Sequence, residues 1–223
     1  MGFRYYGFPD FLFLLEATRW TILLSLFTFA AGGVLGAVVA LARVSASKPP
    51  RWLAIGFIQL VQGTPVLMQL FVWFFLLSLI GVNLPAFIAS GIALTMYAAA
   101  FLGEIWRGCI QAIPKTQWEA AASIGMSRWE QVREIIAPQA LRIAVPPTVG
   151  FLVQIVKTTS LTALVGFVEV TRAGQLVNST TFQPLPVFCT VAAIYFVICF
   201  PLSLYSRTLE KKLNVGRQFA VSA

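Results

Sequence analysis

The chain has 223 residues, 58% of them hydrophobic and 11% charged, with a mean hydropathy of +0.83. That composition excludes an ordinary soluble domain of this length and predicts an integral membrane protein. In a soluble chain, 16 basic against 8 acidic residues would suggest a nucleic-acid partner; in a bilayer the position of the charges matters more than their sum, and no nucleic acid is expected.

The opening residues, MGFRYYGFPDFLFLLEATRW, are interrupted by Asp10, Glu16 and Arg19, unlike the apolar core of a removable signal, so the first span is expected to be an uncleaved anchor. Pro9 to Arg19 mixes Phe and Leu with charge and reads as a segment lying along the outer interface. About 20 apolar residues cross the hydrocarbon core as a helix, so charge-free runs count the crossings. Trp20 to Ala42 makes one. Trp52 to Gly103 is too long for one and is broken by GVNLP at Gly81 to Pro85, a turn signal. Ile143 to Val168 carries a single charge, Lys157, and Ala173 to Ser206 carries none. The prediction is an all-α, single-domain membrane protein with five transmembrane helices, near residues 20–42, 54–80, 85–106, 141–166 and 185–206, and a polar loop at 114–138 between the third and fourth.

Basic residues sort by side. Arg43, Lys48 and Arg51 follow span 1; Arg107, Lys115, Arg128, Arg133 and Arg142 surround the polar loop; Arg207, Lys211, Lys212 and Arg217 end the chain. Only Arg4, Arg19 and Arg172 lie opposite. The positive-inside rule then puts the N-terminus outside and the loop and C-terminus in the cytoplasm.

The loop contains TQWEAAASIGMSRWE, in which Thr116 with Glu119, and Ser127 with Glu130, have the spacing of a capping box. Two short helices are predicted, with Gly125 supplying a left-handed turn between them and Pro138 closing the second or bending the chain into span 4. Ala120, Ala121 and Ala122 beside Trp118 form a surface with little side chain to obstruct a partner. By these features alone the loop is either a docking element or a solvated connector.

Glu119-Ala120-Ala121, then Gly125, Ile135 and Pro138, resembles the EAA loop of ABC-transporter permeases; Ala137 stands where that family usually has Leu. QGTPVLMQLF (with Gln62 in place of the common Arg), EIWRGCIQAIPKTQWEAA, KTTSL and FPLSLYSRTLEKKL resemble, in order and spacing, segments of the histidine/glutamine-type polar amino acid permeases. The resemblance covers nearly the whole chain. It implies a permease subunit in a bacterial inner membrane, whose coupling helix docks on a separate ATP-binding cassette ATPase dimer. It further implies a second permease chain, identical or related, and an extracytoplasmic substrate-binding protein. ATP and Mg would sit on the ATPase partner, and no cofactor is expected on this chain, which has no P-loop.

Within the spans, Lys157 is costly in a bilayer unless it faces a cavity or partner. With Thr158, Thr159 and Ser160 it makes either a polar path or gate, or a snorkelling or assembly contact. Thr64 and Pro65, followed one turn later by Gln69, mark either a local break lining a path or a packing kink. Glu104 with Arg107, and Glu169 with Arg172, are spaced to pair on a helix as structural contacts, the second pair at the outer side, where it could brace the segment facing a binding protein. Without histidine, and with Cys109, Cys189 and Cys199 in no C-x-x-C pair, no metal site and no catalytic residue is expected; the cysteines read as apolar packing residues. An ATP-independent transporter or channel is the alternative function, though the carboxylates and internal repeats usual in such proteins are not evident.

Overall fold

The computed structural model describes residues 4–221, with side chains through Leu213. The described residues are helical throughout, with no strand. Among the described residues, four helices are long and apolar enough to cross a membrane: Phe8–Val44, Ala86–Gln111, Arg128–Val165 and Pro184–Leu213. A bent pair, Lys48–Gln62 and Val66–Leu79, raises the number to five if it counts as one span.

Helix α1 is Phe8–Val44. Contrary to expectation, Pro9 to Arg19 is no separate interfacial segment: it continues unbroken into span 1. Asp10, which interrupts the apolar run in sequence, sits in the first turn, where its carboxylate accepts from Gly7 N at 3.0 Å and pairs with Arg4. A charge that disqualifies a transmembrane start by composition thus serves as a cap, favoured by the helix dipole. The resulting 37 residues make about 55 Å of helix, well beyond the ~30 Å of hydrocarbon.

The second predicted span is not one helix. Helix α2 (Lys48–Gln62) and α3 (Val66–Leu79) meet at 103° across Gly63 to Pro65. A turn with Gly81 at φ +81° and Pro85 at the N-cap then leads into α4, Ala86–Gln111. Helix α4 is the buried centre of the bundle and packs chiefly on α1. Glycines bring the two backbones together: a Cβ on Gly32 would lie 2.5 Å from that of Ala98, and one on Gly103 2.6 Å from Val39 Cγ1. Such close approach between small residues is a main source of helix association where water supplies no hydrophobic drive.

The polar loop holds one short helix, α5 (Lys115–Ser123), followed by a turn at Gly125. The second expected short helix does not exist as a separate element. Ser127 instead starts the helical run Arg128–Val165, comprising a first turn α6 (Arg128–Glu130), a π-helical turn (Gln131–Ile136), α7 (Ala137–Thr158) and a 3₁₀ turn (Thr159–Val165). Pro138 therefore closes no helix; it lies in the first turn of α7, inside the continuous run. The wider π turn immediately before it accommodates a ring that would crowd the carbonyl four residues earlier in a regular helix. Farther along, Pro146 and Pro147 lie inside α7. Two side chains from other helices brace this stretch: Ser206 donates to the Pro146 carbonyl at 2.9 Å, and Trp106 to Thr148 Oγ1 at 2.9 Å.

Helix α8 (Val170–Thr181), which the charge-free run did not reveal, precedes α9 (Pro184–Val221). Cys109 and Cys199 are buried; Cys189 is exposed.

Candidate functional site

Helix α5 is tied to the bundle on one side and open on the other. Trp118 packs with Ile113, Ile136 and Ala140, joining the ends of α4 and α7, and Ala121 is fully buried. Glu119, Ala120 and Ala122 face outward. The three alanines therefore do not form one docking surface; Ala121 belongs to the base and its neighbours to the open face. Beyond α5, Ile124 and Trp129 are 74% and 71% exposed. Ile135 is half-buried, while Gly125 and Pro138 are exposed.

The two capping boxes fare differently. Ser127 accepts from Glu130 N at 3.3 Å and Glu130 accepts from Ser127 N at 2.7 Å, a complete reciprocal cap. Thr116 and Glu119 make none, because Pro114 in extended conformation occupies the N-cap and places Thr116 inside the helix. Gly125 has φ +80°, and its N–H and that of Met126 return to the carbonyls of Ala122 and Ala121 at 3.0 and 3.2 Å. No neighbour lies within 4 Å of where its Cβ would be, so conformation alone demands glycine here.

At the α2–α3 break, Pro65 has no N–H for the carbonyl of Val61, its partner in a regular helix. The Gln69 side-chain amide supplies that bond at 2.6 Å and also donates to the Thr64 carbonyl at 3.1 Å and Thr64 Oγ1 at 3.0 Å. Thr64 Oγ1 in turn donates to the Leu60 carbonyl at 2.9 Å. Thr64, Pro65 and Gln69 thus form a single hydrogen-bonded corner, with Thr64 and Pro65 exposed.

Residues 32–215 match the family described as binding-protein-dependent transport system inner membrane component. The chain belongs to that family. It is 34% identical over 203 residues to the probable amino-acid ABC transporter permease YckA of Bacillus subtilis (strain 168), covering 91% of this chain and 90% of that protein. The L-cystine transport system permease TcyB of the same organism is 35% identical over 196 residues, 87% and 84% of the two chains. The glutamine transport system permease GlnP of Escherichia coli (strain K12) is 32% identical over 209 residues, 93% and 95%. A crystal structure of an amino acid ABC transporter with histidines superposes with a TM-score of 0.86 at 30% identity, covering 90% of this chain and 94% of its own. An inward-facing methionine ABC transporter, at 18% identity and a TM-score of 0.70, shares the fold.

In this transport-system membrane component the remaining polar residues separate into two groups. Lys157 and Gln154 are exposed on α7, and no ion pair engages Lys157 among the described residues. Thr158 and Thr159 are buried, and their hydroxyls, like that of Ser160, donate to carbonyls three or four residues earlier at 2.7–2.8 Å. These hydroxyls satisfy the tightening helix end, so the four consecutive residues do not share one polar face.

Glu104 accepts from Arg107 Nε at 2.9 Å, and Arg43 of α1 approaches its other oxygen at 3.6 Å. Sequence reading had no means to place Arg43 there, since the contact crosses from one helix to another. Glu169 and Arg172 do not form a side-chain pair. Glu169 is the N-cap of α8, accepting from Arg172 N at 3.0 Å, while the Arg172 guanidinium turns to Gln175. The buried Glu169 carboxylate also accepts from Tyr195 at 2.6 Å and Thr21 at 3.4 Å, linking α8 to α9 and α1. The described residues include no group of His, Cys, Asp and Glu able to hold a metal ion.

Proposed function

We propose that this chain is the membrane-spanning permease subunit of an ABC importer for a polar amino acid or amino-acid derivative. It works beside a second permease chain, is driven by a separate ATPase dimer that binds ATP and Mg, and receives substrate from an extracytoplasmic binding protein. We read the chain as crossing five times, with the bent α2–α3 pair as one span, and assign the N-terminus to the outside and the C-terminus and α5 to the cytoplasm on the distribution of Lys and Arg alone.

One observation carries this reading: α5 is anchored by Trp118 and Ala121 to the ends of α4 and α7 while Glu119 and Ala120 stay open. A partner gripping the open face therefore moves two spanning helices through a packed base. Gly125 and Met126 cap the far end of α5, the Gln131 side-chain amide of the following run donates to the Met126 carbonyl at 2.9 Å, Ile135 packs the base and Pro138 marks its junction with α7. Closure of the ATPase dimer would draw two such helices together and tilt the spans, exposing the path to alternate sides. Lys157 and the Thr64–Pro65–Gln69 corner are assigned to that path or its gate, and Thr158, Thr159 and Ser160 to the rigid helix end behind Lys157. Arg43–Glu104–Arg107 and the Glu169 cap of α8, followed by Arg172, are structural.

The test is reconstitution with a candidate ATPase subunit in proteoliposomes, measuring ATP hydrolysis and amino-acid uptake with and without a substrate-loaded binding protein. Stimulated hydrolysis coupled to uptake is expected. Uptake that persists without nucleotide would replace the importer with an ATP-independent transporter.

A further inference from the structure

Two cavities meet at the end of the bundle that carries α5. The larger, about 1190 Å³, lies between the end of α1, the start of α2, α5 and the first turns of the Arg128–Val165 run. Arg43, Arg51, Lys115 and Arg128 line it, with Trp52 and Trp118, and no acidic residue does. The smaller, about 320 Å³, is a crevice among α1, α4 and α7 whose floor is made of alanines, including Ala37, Ala40, Ala137, Ala140 and Ala144, and it has no charged lining. Leu41, Ile110 and Ala137 line both, so the two spaces adjoin.

The basic charge in the larger cavity is only partly answered. Arg43 is near Glu104, and Arg128 lies over the Trp118 ring at 5.7 Å. Among the described residues, Arg51, Lys115 and Arg128 enter no ion pair. An occupant must therefore bring negative charge. It must also fill an alanine-lined crevice flanked by Leu41 and Leu141, which are 65% and 66% exposed on the apolar outer surface of a membrane protein. A nucleotide or free phosphate meets the first requirement and leaves the crevice empty; a neutral lipid meets the second and leaves the cations unanswered, and a zwitterionic lipid answers them only in part, because its own ammonium competes for its phosphate. Only an amphiphile with an anionic head meets both, and basic pockets between spanning helices suit such heads.

We propose that these joined cavities bind one anionic phospholipid, its phosphate among Arg51, Lys115 and Arg128 and an acyl chain in the alanine crevice. Ala137 is central to the assignment, since a larger side chain there would close the passage between the two spaces. The proposal rests on the membrane placement of the chain and not on the importer reading, so its test needs no transport assay.

The full-length chain is purified in detergent, delipidated and titrated with phosphatidylglycerol, phosphatidylethanolamine or glycerol 3-phosphate, with bound ligand counted by native mass spectrometry. One phosphatidylglycerol per chain is expected, held more tightly than phosphatidylethanolamine. Arg51→Gln and Arg128→Gln should each weaken phosphatidylglycerol about fivefold and phosphatidylethanolamine less, narrowing the preference between them. Ala137→Phe should weaken both lipids, and Ala37→Leu, on the opposite crevice wall, serves if that variant fails to fold. Equal binding of the two lipids, glycerol 3-phosphate binding as tightly as phosphatidylglycerol, or binding indifferent to the arginine or crevice variants would each overturn the proposal.

Discussion

The side-chain amide of Gln69 donates to the main-chain carbonyl of Val61 at 2.6 Å, replacing the hydrogen bond that Pro65 cannot make. A sharp break at membrane depth is tolerable only if its freed carbonyls find partners, and here one glutamine serves two of them. Gln69→Leu should therefore destabilise the protein by about 1–3 kcal/mol, the cost of leaving such groups unsatisfied. Thermal unfolding in detergent would show this as a lowered midpoint, and an unchanged midpoint would mean the corner holds without the amide.

Gly125→Val should insert and fold while uncoupling ATP hydrolysis from uptake. A β-branched residue resists φ +80°, at a cost of about 1–3 kcal/mol. Gly125→Asn should be much milder, because asparagine enters the left-handed region readily and the space around the site is open. Comparing hydrolysis with uptake for both variants separates a backbone effect from a steric one; equal behaviour of Val and Asn would remove the conformational explanation.

Glu104 bridges two arginines from different helices, whereas Glu16 pairs with Arg19 on an exposed surface. Glu104→Ala should cost about 1–3 kcal/mol by leaving two partly buried cations without their acceptor. Glu16→Ala should change stability by less than about 1 kcal/mol. Parallel thermal unfolding of the two variants checks the contrast, which would vanish if Glu104 were as well solvated as Glu16.

Gly32→Val should disrupt the α1–α4 contact, since even a Cβ at this position would lie 2.5 Å from that of Ala98. Backbone displacement on this scale costs about 1–3 kcal/mol or more in a packed interior. Loss of monodisperse protein in size-exclusion chromatography is expected. Gly56→Val, where a Cβ meets nothing within 4 Å, is the matched control and should elute normally.

Much of the architecture was legible because its causes are local. Charge-free runs of about 20 residues mark helices because only a helix satisfies its backbone within a single segment in a bilayer, and Gly81 and Gly125 mark left-handed turns because other residues resist that conformation. The Ser127–Glu130 box was readable for the same reason: donor and acceptor lie three residues apart. The same pattern at Thr116–Glu119 failed through one neighbouring residue, Pro114, which took the cap position.

Spacing was a weaker guide once partners came from elsewhere. Glu104–Arg107 and Glu169–Arg172 look alike in sequence, yet the first is an ion pair within α4 and the second a backbone cap at the start of α8. By itself the sequence determined the membrane class, the main apolar helices, the Gly125 turn and the family pattern around Glu119, since each rests on short stretches of chain and the solvent they meet. Tertiary structure alone decided that Trp118 and Ala121 face inward, that Arg43 reaches Glu104, and that Thr21 and Tyr195 hold Glu169. Those outcomes depend on which helix faces pack together, and a buried carboxylate takes whatever donors that packing brings within reach, however far apart along the chain.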